Sequence, residues 1–393
     1  MKILHTVELY HPSVGGSQEV VRQLSERLVR LGHDVTVATT DLPERNFKVY
    51  NGVKIEEFNI WGSEVTGFSG EVESYKQFLL ESNFDIIMNY GAQQWATDLM
   101  LPILDKISAK KVIVPCGFSG LYLSKYGKYF EKMKSLLRQY DSCVYLSNNY
   151  RDINFARKYG AAENCIIIPN GAALDEFELK PNIEIRAALN IPKDHFLIMH
   201  VGSHTGMKGH KEAIKIFKKA KIKHSTFLIV ANSFGGGCIR RCLLAEKLYK
   251  YSPFSKLSDK KIVITFLTRE ETVAAYHEAD LFLFPSNVEC SPIVLFEAIA
   301  SKTPFLVTDV GNSKEIIEWT NGGELLPTLK RANGFVKADV NKSVKTLENI
   351  YNDKGKRQFL SVNGYNSWKN SFTWELIAKR YEALYLKLID DNK

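Results

Sequence analysis

Short apolar runs rich in branched residues alternate with amphipathic helical stretches along this chain, and the alternation occurs twice. The first series opens with KILHTVEL, turns through HPSVGGSQ and enters EVVRQLSERLVRLG. There Val20, Val21, Leu24, Leu28 and Leu31 recur at helical spacing, and Gly32 fits the stop position. HDVTVATT follows as a β-branched strand. Strand, helix and strand in that order imply a parallel sheet, because parallel neighbours need a long crossover. FDIIMNYG, KKVIVPCG, SCVYLS and NCIIIPNGA continue the series.

A proline-bearing, mixed-charge stretch near residues 178–193 reads as a linker. Then HFLIMHVGS, STFLIVANS, KKIVITFLT, LFLFPS and TPFLVTDV alternate with helical segments, and FTWELIAKRYEALYLKLID closes the chain as one long amphipathic helix. The 393 residues are long for one core. The expected fold is α/β: two Rossmann-like doubly wound domains facing across a cleft. Residues 1–180 form the first, 190–365 the second, and 366–393 a terminal helix. In open α/β sheets ligands sit at the carboxyl ends of the strands, so the site is expected there.

Composition excludes several classes. Charged residues make up 24% of the chain and the formal charge is +8, a modest excess with no dense basic module for nucleic acid. HPSVGGSQE lacks the G-x-G-x-x-G of a dinucleotide-dependent dehydrogenase. Of the six cysteines (Cys116, Cys143, Cys165, Cys238, Cys242 and Cys290), none forms a CxxC pair, and Cys238 and Cys242 have no histidine cluster nearby in sequence. They read as free thiols in a reducing compartment. MKILHTVELYHP lacks the apolar core of a signal peptide, and no window is long and apolar enough to span a bilayer.

The stretch NVECSPIVLFEAIASKTPF carries the sharpest chemical signal. Glu289 and Glu297 flank an almost wholly apolar run, and unpaired charge is costly to bury. LFLFPS is a strand, Asn287–Pro292 a loop at its carboxyl end, and PIVLFEAIAS a helix with Ser291 as N-cap and Pro292 at its first position. The free amides of such a helix start suit a phosphate, and the two carboxylates suit hydroxyl donors such as those of sugar and ribose.

The E-x7-E pair on strand, loop and helix, followed by TPFLVTDVGNSKEII, resembles the family-4 retaining glycosyltransferases of GT-B fold. HPSVGGSQEVVRQLSERLVRLGHDVTV, IPNGAALDEF, HVGSHTGMKGH and FTWELIAKRYEALY are similar to family segments in the family's order. The resemblance implies that Glu289 binds the donor sugar nearest its anomeric carbon and that Glu297 binds the ribose hydroxyls. It implies that Lys208 neutralises the departing diphosphate, with Gly209 letting the backbone turn beside it. Cys290, Ser291, Pro292, Ile293 and Val294 would hold the sugar and diphosphate, and Gly15 and Gly16 would let a loop approach the phosphates. Nucleotide-base contacts are expected near Asn232–Gly236 and Leu267–Glu270. A nucleotide-diphosphate sugar, UDP- or GDP-linked, is the implied donor, with no metal and no other cofactor. The acceptor is a glycan or a lipid-linked glycan, as in surface polysaccharide assembly. The terminal helix of such proteins crosses back to the first domain.

Three positions depart from the family pattern. Ser203 stands where an arginine is usual, with His204, Arg240 or Arg241 as substitutes. Cys290 replaces a glycine. Cys116-Gly117-Phe118 lies where many members carry a histidine. These departures leave two alternatives open: a non-catalytic sugar-nucleotide-binding subunit, and another GT-B enzyme such as an epimerase.

LYLSKYGKYFEKMKSLLRQY, 121–140, combines an apolar stripe with Lys125, Lys128, Lys132, Lys134 and Arg138. Two readings stand: a helix lying on an anionic membrane surface, or a stripe packed on the sheet with solvated lysines. The expectation is a cytoplasmic protein, with peripheral contact at the inner membrane face under the first reading.

Overall fold

A computed structural model describes residues 1–231 and 237–391. The chain divides into two compact units, Met1–Asn170 with Trp374–Lys393, and Gly171–Thr373. The boundary thus falls ahead of the 180–190 interval expected from sequence. The linker is part of the second unit: it contains a short helix, Ile185–Ala188, and Arg186 bonds to Glu278 and Asp280. Residues 366–373 also end that unit. Ala172 N donates to Phe372 O at 3.0 Å, and Trp368 Nε1 donates to Ala172 O at 3.0 Å. The helix that belongs with the first unit starts at Trp374.

The first unit holds an eight-stranded sheet. Its spatial order is Cys165–Ile167, Ser142–Tyr145, Lys110–Val114, Ile86–Tyr90, Lys2–Thr6, Asp34–Thr40, Val53–Phe58 and Val49–Tyr50. All neighbours are parallel except the last pair. The strands between 49 and 70 are additional to the sequence reading. Val53–Phe58 alternates buried and exposed residues at the sheet margin and so lacks the continuous apolar run of its neighbours. The helix Gly16–Arg30 ends in a Schellman motif: Gly32, at φ +90°, donates to Val29 O, and His33 N donates to Leu28 O. The terminal helix Trp374–Asp390 packs on it through Arg27–Glu375 at 2.6 Å and His33–Glu382 at 2.8 Å.

The stripe in 121–140 belongs to the core. Tyr129, Phe130, Met133, Leu137 and Tyr140 are buried in the first unit. These residues follow the second reading, a stripe packed on the sheet, while Tyr122 at its start is exposed. Two of the lysines are paired, Lys132 with Glu64 and Lys134 with Glu131. Among the described residues, no helix is long and apolar enough to cross a membrane.

His5 is buried in the same unit, hydrogen-bonded to Ser25 Oγ at 2.8 Å and Tyr385 Oη at 3.3 Å. Burial lowers its pKa from 6.5 to about 3. The folded state then binds fewer protons than the unfolded chain between those values. The stabilisation is complete above 6.5 and is lost as pH falls toward 3. At pH 5.5, one unit below the unfolded value, the loss is about 1.4 kcal/mol. Denaturant titrations at pH 7.5 and 5.5 should show the wild type losing about that much more than His5→Gln. Equal losses would contradict this account.

The second unit holds a six-stranded sheet, all parallel, in the order Lys260–Phe266, Ser225–Ala231, Phe196–Val201, Leu281–Phe284, Phe305–Thr308 and Gly323–Leu326. Alternate residues enter cores on opposite faces. Leu197, Met199, Phe282, Phe284, Phe305 and Val307 lie in one; Ile198, Leu281, Leu283 and Leu306 lie in the other. Burial on both faces explains why these strands are continuous apolar runs. Chain order reverses between Phe196–Val201 and Leu281–Phe284. That is the switch point at which such sheets open a crevice at their carboxyl ends.

Candidate active site

The loops leaving those two switch-point strands carry Lys208 and Glu289. Lys208 Nζ donates to both Glu289 oxygens, at 2.7 and 2.9 Å. Ser286 Oγ donates to Glu289 Oε1 at 2.6 Å. The lysine side chain is 27% exposed and the glutamate 9%, so the pair is reachable from solvent yet held. Charge-assisted bonds of this kind are about twice as strong as neutral ones.

Two glycines set how closely the loops approach. Gly209 lies at φ +71°, and a Cβ there would sit 1.8 Å from Pro285 O. Gly311 lies at φ +58°, and its Cβ would meet Cys290 O at 2.3 Å. Both contacts are with backbone, which cannot swing aside. Gly209→Ala should therefore destabilise the protein by at least the ~1–3 kcal/mol of a forced left-handed residue. Gly16 is different, because a Cβ there meets nothing within 4 Å. Thermal melts should show Gly209→Ala well below wild type and Gly16→Ala close to it; similar melting points for the two variants would contradict the steric argument.

The helix after Glu289 runs Ile293–Ala300, with Pro292 as its N-cap. This shifts the expected cap by one residue. Ser291 Oγ accepts from Asn312 Nδ2 at 3.1 Å, while Asn312 N donates to Cys290 O at 2.8 Å. Asn312, buried and unmarked in the sequence reading, thus ties down the loop that carries Glu289. Leu295 N already donates to Pro292 O. Ile293 and Val294 are half-buried in the first turn, where amides have no intrahelical acceptor.

Glu297 is buried one turn further on and pairs with Arg269, Nη1 to Oε1 at 2.6 Å. Arg269 also bonds to Glu176. Sequence reasoning expected base contacts around 267–270 but did not single out Arg269. A buried carboxylate next to a cation-free apolar run was the signal that a distant partner existed. Tyr276 is buried beside this pair; burial first, then Glu297, pushes its phenol pKa well up, so it stays protonated.

The remaining expected residues fall as follows. Ser203 is half-buried in the Lys208 loop, where its carbonyl accepts from Thr205 N. Gly15 is the extended N-cap of Gly16–Arg30 in the first unit. Asn232–Gly236 lie outside the described residues. Cys116, Gly117 and Phe118, at the carboxyl end of Lys110–Val114, have φ of +58°, +88° and +46°. Left-handed cysteine and phenylalanine are strained. Asp152 holds the turn by accepting from Gly117 N at 2.7 Å. Burial raises the Asp152 pKa to about 6.

Two family models cover most of the chain. Residues 14–176 match Glycosyltransferase Family 4, and residues 181–367 match Glycosyl transferases group 1. The chain belongs to the family-4 glycosyltransferases. This glycosyltransferase is 26% identical to an uncharacterized glycosyltransferase of Methanocaldococcus jannaschii, the match covering 98% of each. It is 23% identical to N-acetyl-alpha-D-glucosaminyl L-malate synthase of Bacillus anthracis, over 98% of this chain and 97% of the relative. Its fold is GT-B. HepE of Anabaena, solved in complex with UDP and glucose, superposes with a TM-score of 0.74 at 15% identity, covering 98% of this glycosyltransferase and 100% of HepE.

Proposed function

We propose that the protein is a retaining, metal-independent enzyme. It moves a sugar from a UDP- or GDP-linked donor to a hydroxyl of a glycan or lipid-linked glycan. The observation that carries this reading is the Lys208–Glu289 pair at the switch point of the second sheet. A lysine there can meet a diphosphate, and a carboxylate there can accept from sugar hydroxyls. Ile293 and Val294 amides would add donors to the phosphates. Glu297 would accept from the ribose hydroxyls, one to each oxygen. In the first unit, the open space at Gly16 would admit a phosphate or an acceptor close to the backbone.

The chemistry follows from charge. As the sugar–phosphate bond lengthens, negative charge grows on the leaving diphosphate, and Lys208 with the helix amides stabilises it where it develops. Glu289 orients the sugar so that the acceptor hydroxyl approaches on the face the phosphate leaves. The departing phosphate oxygen can take the acceptor proton, so no protein nucleophile is required. The relatives support the donor class: one is named for placing an N-acetylglucosaminyl group on L-malate, and HepE was solved with UDP and glucose.

The test is turnover. Incubation with UDP- and GDP-sugars should release nucleoside diphosphate, slowly to water and faster with the right acceptor. Proton NMR of the product should show the anomeric configuration of the donor. An inverted product would sink retention. Tight donor binding with no release under any condition would favour the non-catalytic subunit reading.

A further inference from the structure

The cysteines and histidines that sequence spacing kept apart come together behind the Lys208 loop. His204, His210 and Cys238 place one ligand atom each within 4.8 Å of one another. His210 Nδ1 lies 3.9 Å from Cys238 Sγ, and the His204 and His210 rings stack at 3.9 Å. The expectation that Cys238 had no histidine cluster is therefore corrected. His204 comes from the loop after Phe196–Val201, His210 opens the helix His210–Lys219 that follows it, and the cysteine comes from the helix Gly237–Lys250.

Two features point to a ligand. His210 Nε2 faces Gly202 O at 3.2 Å, which fixes its proton there and leaves the Nδ1 lone pair toward Cys238. His204 is 92% buried by its 8% exposure, and neither ring nitrogen has a hydrogen-bond partner. Such a group needs an explanation, because buried polar atoms are nearly always satisfied. A second three-residue cluster behaves differently: His195 and His224 spend their facing nitrogens on Asp259 at 2.9 and 3.1 Å, and it reads as a satisfied hydrogen-bond group.

We propose that His204, His210 and Cys238 form a binding site for a borderline d-block cation of the zinc class. Two imidazoles and a thiolate are ligands that favour such an ion over magnesium or calcium. In a tetrahedral site, metal bonds of about 2.0–2.3 Å put ligand atoms about 3.3–3.7 Å apart. The cluster needs to close by about 1 Å, within reach of side-chain rotation. The fourth position opens on a cavity of about 1000 Å³ lined by Lys211, Lys215, Arg241 and Arg331. Lys211, Lys215 and Arg241 are themselves exposed, so water and salt screen them. They favour an anion or hydroxide as the fourth ligand. The bound ion would tie the loop that carries Lys208 to the helix Gly237–Lys250. No step of the proposed transfer runs through the ion, and the test reads the metal alone.

The experiment is a Co²⁺ titration of the untagged full chain, kept reduced with a phosphine. Wild type should take up one equivalent, with a thiolate-to-cobalt charge-transfer band and the visible bands of a tetrahedral ion. Zn²⁺ should displace it. Cys238→Ser should lose the charge-transfer band and bind at least tenfold more weakly, and His204→Ala should bind at least tenfold more weakly. Cys242→Ala, one helical turn away, should keep the band. Absence of a band in wild type overturns the proposal even if the variants fail to fold. A band that survives in Cys238→Ser, or that vanishes in a folded Cys242→Ala, overturns it as well.

Discussion

Lys208→Ala should lower kcat for sugar transfer by about 100- to 1000-fold while the protein stays folded. Removing one group aimed at developing charge has that effect elsewhere. The side chain is partly exposed, and Glu289 keeps its bond from Ser286 Oγ when the lysine is truncated, so the fold loses little. Glu289→Gln keeps the shape and removes the charge. Its amide nitrogen would then face the Lys208 ammonium, donor against donor. The loss expected is about 1.5–3 kcal/mol of transition-state binding, or roughly 10- to 150-fold in kcat/KM. Because the two residues touch, the double variant should fall short of the product of the single losses. Steady-state kinetics on the three variants, with melting curves as the folding control, decides this. Single variants within threefold of wild type would remove Lys208 and Glu289 from the chemistry.

Glu297→Ala should weaken nucleoside-diphosphate binding with a smaller effect on kcat. A charged acceptor on hydroxyl donors contributes about 1.5–3 kcal/mol, so the dissociation constant should rise roughly 10- to 150-fold. Truncating one partner of a buried pair can cost several kcal/mol of stability when the other charge stays buried. Here the arginine is 40% exposed and retains Glu176, so the fold should tolerate the change. Arg269→Ala is the more damaging change for stability, since it removes the cation that faces the buried Glu297 carboxylate. Isothermal titration calorimetry and melting curves separate the two variants. Equal nucleotide affinity in wild type and Glu297→Ala would contradict the ribose role.

Much of this was legible in the chain because its main elements follow local rules. The interior strands of the second sheet are buried on both faces, and so appear as unbroken apolar runs such as LFLF and FLIVA. The stop at Gly32 needed only a left-handed residue in the right place. Val53–Phe58 escaped because a marginal strand with Lys54, Glu56 and Glu57 has no such run. The stretch 181–190 is polar and proline-bearing and so reads as a linker, yet Arg186 bonds it to residues about ninety positions later. The apolar stripe of 121–140 looks alike whether it faces a bilayer or a sheet; only packing tells them apart. In the site, Lys208, Glu289 and Glu297 were visible through their motif. Their partners Ser286 and Arg269, and Asn312 that ties down the Glu289 loop through Ser291, were not, because pairing across 28 residues or across a loop leaves no local pattern. The His204–His210–Cys238 cluster was hidden for the same reason.

The most direct measurement is calorimetric titration of the wild-type chain with uridine, guanosine, adenosine and cytidine diphosphates and their common sugar conjugates. The account predicts one nucleotide class binding at one site per chain, with Lys208→Ala and Glu297→Ala each weakening it at least tenfold. Binding of none of them, or binding that both variants leave unchanged, would contradict the assignment of the donor site to the switch point of the second sheet.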